Sequence, residues 1–343
     1  MSKDGRIYVG ADLGATKVLA AVFDSSMKPL ASEKAKTPRE ASAKTVLAAL
    51  VETVGRAIAA SGAQADRIAG VGVAVPGPLD RARGIVRYTP NMGFKDYPLG
   101  AELEGLFGAP AFLDNDVQAG VYGELRAGAL RGKRNAVGVF VGTGIGGGIV
   151  IDGKVYRGAT GSAGEVGHMI LLDGGALCGC GNYGCLEALA SRSAMAKDAV
   201  TLAAAGKAPG MLRAAGTDLR KYRSSALAEA IDAGDKPVRK AVDRAAYWLG
   251  VGLANLVHVL NPEAIVVGGG IVARFGERFI DRAVSSMEDH LMPGLAGSVE
   301  ILLSELGDLA VPTGAAYVAA DAAGQAAGAG ASAAARREDG GPR

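Results

Sequence analysis

Residues 136–156 read AVGVFVGTGIGGGIVIDGKVY: an apolar run, a Gly-Thr-Gly turn, a second apolar run, and Asp152-Gly153 before a third. Short apolar runs bounded by glycine turns are strands of a hairpin rather than helix. Gly142, Gly144 and Gly147 also satisfy G-x-G-x-x-G, the pattern of dinucleotide-binding turns. That pattern needs a helix directly after the glycines, whereas GGIVIDGKV continues as strand, turn and strand, so the dinucleotide reading fails on context.

The same plan occurs at residues 7–24, IYVGADLGATKVLAAVFD, with the turn at Asp12 to Lys17. Glycine at position 14 lets backbone N–H groups converge without a Cβ in the way, and such a concave row of donors holds phosphate. Asp12, at the strand end, suits Mg²⁺ or its waters, because that ion takes hard oxygen ligands. Alone, this segment reads as an ordinary hairpin with polar turn residues. Two copies of it imply an internal duplication.

A third stretch follows the second hairpin. Residues 161–187, GSAGEVGHMILLDGGALCGCGNYGCLE, contain all three cysteines of the chain, Cys178, Cys180 and Cys185, with His168 ten positions before the first. Three thiols and an imidazole form a closed Cys₃His shell suited to structural zinc. The loop has too few large apolar side chains to fix its own shape, which makes a metal crosslink physically reasonable. Buried free cysteines are the plain rival. A disulfide ranks lower, because the odd count leaves one thiol over and a Cys-x-Cys pair closes a strained ring. Glu165 and Glu187 flank the ligands, so a metal that pins the loop also pins two carboxylates able to accept hydrogen bonds from vicinal sugar hydroxyls. Either glutamate alone reads as a surface charge.

The run VGTGIGGGIVIDGKVYRGATGSAGEVGHMILLDGGALCGCGNYGCLEALAS resembles the ROK family of bacterial sugar kinases and repressors, with the Glu-x-Gly-His and Cys-x-Cys-Gly-x-x-Gly-Cys-x-Glu motifs complete. The resemblance extends from about residue 7 to about residue 320. Paired hairpins are similar to those of actin, Hsp70 and sugar kinases, which implies a two-domain actin-like (ribonuclease H-like) α/β fold with nucleotide in an inter-domain cleft. On that resemblance Asp12, Gly14, Thr16 and Lys17 match the first phosphate motif, and Gly142, Thr143, Gly144 and Gly146 the second. Ala15 stands where the family often has glycine.

Residues 42–61 carry Val46, Leu47, Leu50, Val54 and Ile58 at helical spacing, which is packing. A buried strand at 68–79 ends at Pro76-Gly77-Pro78. In ROK kinases the equivalent loop, and the segment holding Asn91, lie against the sugar. Residues 111–116, AFLDND, form a strand ending in polar groups, which in open α/β sheets either face the ligand or cap the next helix. Asn115-Asp116 matches the family's Asn-Asp pair, whose aspartate is the catalytic base; Asp114 is outside the match. A long helix is expected over 235–260, stopped by Asn261-Pro262. A strand at 264–271 then enters Gly268, Gly269 and Gly270, where the family places adenosine.

The expected domains are 1–116 with 311–320, and 117–310 including the zinc loop. Residues 321–343, lacking large apolar side chains, are expected to be disordered. The 343 residues carry a formal net charge of +2, with 49% hydrophobic and 21% charged. Nothing in that balance favours nucleic acid or membrane as partner; a small-molecule sugar fits better. No apolar run has signal-peptide or membrane-spanning character, so a cytoplasmic location is expected. Only six residues precede Ile7, too few for the helix-turn-helix of the repressors. The resemblance therefore implies ATP-dependent phosphorylation of a hexose 6-hydroxyl, glucose first, with ATP, Mg²⁺ and structural zinc, in a homodimer or higher homo-oligomer. Kinases for other hexoses and for N-acetylated or amino sugars share the motifs, and polyphosphate is an alternative donor.

Overall fold

The computed structural model describes residues 5–38, 42–89, 91–218 and 221–338, with side chains described to residue 324. The chain divides into two compact units, Met1–Gly128 with Asp308–Arg343, and Ala129–Gly307.

In the first unit β1 (Ile7–Leu13), β2 (Lys17–Asp24) and β3 (Pro29–Lys36) form an antiparallel meander. Helix α1 (Ala43–Ser61) follows, with Ser42 as its N-cap and Gly62 as its left-handed C-cap. Strand β4 (Ile68–Val75) lies parallel to β1; the small strands β5 (Leu79–Asp80), β6 (Ile85–Tyr88) and β7 (Lys95–Tyr97) make a separate three-stranded sheet. Helix α2 (Leu99–Phe107), strand β8 (Ala111–Asn115) and helix α3 (Asp116–Ala127) complete this half. The main sheet has the order β3-β2-β1-β4-β8.

Strand periodicity assigns the two faces of that sheet. Ile7, Val9, Ala11 and Leu13 pack with Val71, Val73 and Val75 against Val46, Leu50 and Val54 of α1. The alternate residues Gly10, Gly70 and Gly72 face the C-terminal helix, Ala310–Glu338, at backbone contact. A Cβ on Gly10 would stand 1.9 Å from the Pro312 carbonyl oxygen, and one on Gly72 1.9 Å from that of Ala315. Asp12 continues this same alternation. We expect Gly72→Ala to lower unfolding free energy by about 3 kcal/mol, the upper range of overpacking costs, measured by denaturant unfolding.

Two expectations differ here. Helix α3 belongs to the first unit, moving the boundary from 116 to 128, because Gly123 and Ala119 pack backbone to backbone on Ala310 and Gly314 of the C-terminal helix. That helix also continues from 321 to Glu338 where disorder was expected. Alanine has the strongest intrinsic helix preference, and the extension is anchored at Asp321, which accepts hydrogen bonds from Tyr122 and Arg126. Residues 339–343 of the expected tail lie outside the described residues.

The second unit repeats the plan. Strands β9 (Ala136–Val141), β10 (Ile145–Ile151) and β11 (Lys154–Tyr156) form the meander, and β12 (Ala264–Gly268) and β13 (Glu300–Leu303) run parallel to β9. The order β11-β10-β9-β12-β13 is strand for strand that of the first sheet, as duplication requires. Between β11 and β12 lie α4 (Leu186–Ala190), α5 (Arg192–Ala204), α6 (Pro209–Ala215), α7 (Ser224–Asp232) and the long α8 (Lys236–Leu260). Helices α9 (Gly270–Phe275) and α10 (Glu277–His290) precede β13. Val137, Val139, Val141 and Ile145 pack with Leu186 and with Leu249, Leu253 and Val257 of α8. Among the described residues no helix is long and apolar enough to cross a membrane.

Candidate active site

In the first unit the hairpin turn is tied down from behind. Thr37 donates through Oγ1 to the Gly14 carbonyl at 2.6 Å and through its backbone N–H to the Thr16 carbonyl at 3.2 Å. Gly14 closes the turn by donating to the Lys17 carbonyl, 3.0 Å away. Lys17 Nζ stands 4.0 Å from Asp12 Oδ2 and 3.1 Å from Asp308 Oδ1, and Lys34 Nζ lies 3.2 Å from Asp308 Oδ2. Thr37, Lys34 and Asp308 carry no local sequence signal; the fold alone brings them to the turn.

Asp12 is buried, which pushes its carboxyl up to about 6; Lys17 opposes the rise and the charge of Asp116 adds to it. The structure thus brings the proposed magnesium carboxylate and the proposed base into one electrostatic neighbourhood, from strands on either side of β4. Asn115 is the N-cap of α3: its Oδ1 accepts from Val117 N at 3.0 Å and Gln118 N at 3.1 Å. Asp116 Oδ1 accepts from Val117 N at 2.9 Å. The buried Asp114, also raised to about 6 by burial, pairs with Arg81 at 3.1 Å and so docks the small sheet on β8. Gly77 sits before that sheet with φ +100° and its Cβ position 2.6 Å from the Tyr88 carbonyl oxygen, so no other residue fits easily. Asn91 is exposed at the turn that Thr89 and Phe94 close by hydrogen bonding.

A carboxyl raised above its unfolded value of 3.8 destabilises the fold once ionised, and that cost is relieved as pH falls through about 6. A carboxylate binds Mg²⁺ when ionised, so the expectation that Asp12 serves that ion carries a pH dependence. We therefore expect Mg²⁺-nucleotide affinity to fall, and the ligand-free stability contributed by Asp12 to rise, as pH drops from 7 to 5. Titration calorimetry and thermal melts across that range, with Asp12→Asn as the pH-insensitive control, measure both.

In the second unit four ligand atoms converge. His168, Cys178, Cys180 and Cys185 place one ligand atom each within 4.8 Å of one another. Cys178 Sγ lies 3.7 Å from His168 Nδ1, and Cys180 Sγ 3.7 Å from Cys185 Sγ. Those separations match the edges of a tetrahedron with Zn–S bonds of about 2.3 Å. Burial, then the neighbouring thiols, pushes Cys185 up to about 12, so this packing favours ionised sulfur only with a cation present. The donor set fits zinc. Nδ1 of His168 faces Cys178, leaving Nε2 toward Glu165 Oε2, 4.0 Å away.

Glu187 joins this cluster to the second hairpin. Its Oε2 accepts from Ile145 N at 2.9 Å, while Cys178 Sγ donates to Oε1 at 3.7 Å. A Cβ on Gly144 would stand 2.1 Å from Oε2, so glycine there is set by the carboxylate. As in the first turn, carbonyls are held from behind: Arg192 N donates to Gly142 O at 3.0 Å, and Ser193 N and Oγ donate to Thr143 O at 3.3 and 2.7 Å. Gly146 pairs with Phe140 in the hairpin ladder. Of the three glycines after β12, Gly268 and Gly269 are explained by packing, with Cβ positions 2.8 Å from Ser304 Cβ and 2.6 Å from the Val141 carbonyl oxygen. Gly270 opens α9 with nothing within 4 Å.

Two sheets of one strand order, each opening on a glycine hairpin, with a Cys₃His loop on the second, define an actin-like sugar-kinase fold. The chain belongs to the ROK family, which matches residues 8–322. It is 31% identical to the glucokinase of Halalkalibacterium halodurans over 88% of this chain and 92% of that one. It is 29% identical to the xylose repressor of Caldicellulosiruptor bescii, covering 92% of this chain and 78% of the repressor. The ROK glucokinase of Streptomyces griseus, solved with glucose and AMPPNP, superposes with a TM-score of 0.79 at 32% identity, covering 91% of this chain and 99% of that one.

Proposed function

We propose that the chain transfers the γ-phosphoryl group of ATP to the 6-hydroxyl of a hexose, with glucose as the preferred acceptor. The coarser statement, an ATP-dependent hexose kinase, follows from its family and relatives. The observation that carries the phosphoryl-transfer reading is Glu187, whose carboxylate touches both the Cys₃His loop and the Gly144 turn. One residue therefore ties the proposed acceptor-holding loop to the proposed donor-holding turn.

In this reading Asp116 orients the acceptor hydroxyl and takes its proton, which suits a loose transition state in which positioning and charge neutralisation dominate. Gly77, Asn91, Asn115, Glu165, His168 and Glu187 hold the sugar hydroxyls. Asp12 would hold Mg²⁺ or its waters, and the ion would screen the phosphate charge. Gly14, Thr16 and Lys17 together with Gly142, Thr143, Gly144 and Gly146 cradle the phosphates, and Gly268, Gly269 and Gly270 approach adenosine. His168, Cys178, Cys180 and Cys185 would hold zinc, which would keep the loop in shape. The thiols suit a reducing, cytoplasmic setting, and the homodimer common in the family completes the reading.

The glucose in the Streptomyces griseus complex supports the acceptor and its AMPPNP supports the donor. A coupled assay of glucose, mannose, fructose, glucosamine, N-acetylglucosamine and N-acetylmannosamine against ATP and polyphosphate tests both. Highest kcat/KM with glucose and ATP is the expected result; a higher value for another pair replaces it. The xylose-repressor relative favours a second reading, a sugar-responsive regulator. Sugar binding with no turnover on any donor would select that reading.

A further inference from the structure

We propose that Arg192 is a donor-phosphate residue: its guanidinium, bonded to the Thr143 hydroxyl, meets the terminal phosphates held at the Gly142–Gly144 turn. The inference rests on the reading of that turn as a phosphate cradle. Arg192 belongs to neither sequence motif, yet it holds the turn twice. Its backbone N–H donates to the Gly142 carbonyl at 3.0 Å, and Nη2 donates to Thr143 Oγ1.

The electrostatics of the position call for an anion. Arg192 is half-buried and is the first residue of α5, where the helix macrodipole already presents positive charge. Burial and the nearby charge of Arg223 push the guanidinium down from its ordinary value. Among the described residues no carboxylate pairs with it; Thr143 is the sole side-chain partner. Desolvation, the helix start and a second arginine each disfavour a lone cation there. A triphosphate tail at the turn makes the same charge favourable, and the planar guanidinium keeps donors for phosphate oxygens after Nη2 has taken Thr143.

The test compares wild type, Arg192→Ala and Arg192→Lys for binding of Mg²⁺-AMPPNP, inorganic tripolyphosphate, adenosine and glucose by calorimetry. Arg192→Ala should weaken AMPPNP and tripolyphosphate by about 10-fold or more, Arg192→Lys should restore part of the loss, and adenosine and glucose should bind as in wild type. The AMPPNP loss should persist in a Thr143→Ala background, because the contact to phosphate is direct. Unchanged affinity for both phosphate probes in Arg192→Ala overturns the proposal. So does an equal loss for adenosine, or disappearance of the effect once Thr143 is alanine. If Arg192→Ala fails to melt cooperatively, Arg192→Gln carries the same comparison. Gly144→Ala separates the underlying reading: full AMPPNP affinity in that variant removes the turn from donor binding, whereas its loss beside an unaffected Arg192→Ala sinks the Arg192 assignment alone.

Discussion

Asp116→Asn should lower kcat for sugar phosphorylation by roughly 10² or more, the scale of a positioned acid or base, while sugar affinity stays within about 2-fold of wild type. The substitution is shape-conserving. Asp116 Oδ1 accepts from Val117 N, and an amide oxygen can take the same bond, so the start of α3 survives. What disappears is the capacity to accept the acceptor's proton. Asp114, the neighbouring carboxylate, cannot substitute: Oδ2 is paired with Arg81 and Oδ1 accepts from Asn115 N. Steady-state turnover together with sugar binding by calorimetry checks the result; equal kcat in mutant and wild type would remove Asp116 from the role.

Cys180→Ser is the second large expected effect, and it separates metal from packing. Cys185 is wholly buried, so its replacement disturbs the core as well as the ligand set; Cys180 is exposed and lets the ligand be removed alone. We expect bound zinc to fall from one per chain to near zero, sugar affinity to drop by about 10-fold or more, and the melting temperature to decrease, because a metal and the site it folds are thermodynamically linked. Glu187 explains why the effect should reach the donor as well. Freed from the ordered loop, it no longer fixes Ile145 N beside Gly144, so AMPPNP affinity should weaken too. Elemental analysis of freshly purified wild type showing no zinc, with sugar affinity intact, would refute this account.

Local chemistry made much of this legible. Both hairpins, the apolar stripe of α1, the helix stop at Asn261 and the convergence of His168 with the three cysteines follow from short-range pattern. The partners that brace the two turns do not. Thr37 lies at the end of β3 and Arg192 at the start of α5, and nothing near either residue announces that it donates to a glycine-turn carbonyl. The coupling of Asp12 to Asp116 is equally hidden, since it depends on strand order and not on spacing in the chain. Asn115 shows the converse case: the helix cap and the motif residue are one side chain, its oxygen committed to capping. Past residue 320 the terminal helix is not legible, because its alanines and glycines offer no large apolar face; residues 310–319, which pack at backbone contact on the first sheet and on α3, require small side chains. Gly314 would bring a Cβ within 1.7 Å of the Ala119 carbonyl oxygen.

That helix has a consequence for biogenesis. The second unit is one uninterrupted stretch, Ala129–Gly307, so every strand of its sheet is synthesised before Asp308. The first unit is translated earlier yet finishes later, since the glycine floor formed by Gly10 and Gly72 has no cover until residues 310–324 emerge. Chains ending at residue 307 and released from the ribosome should therefore resist protease across the later-made unit and be cut in the earlier-made one, reversing the usual N-terminal-first order of domain folding.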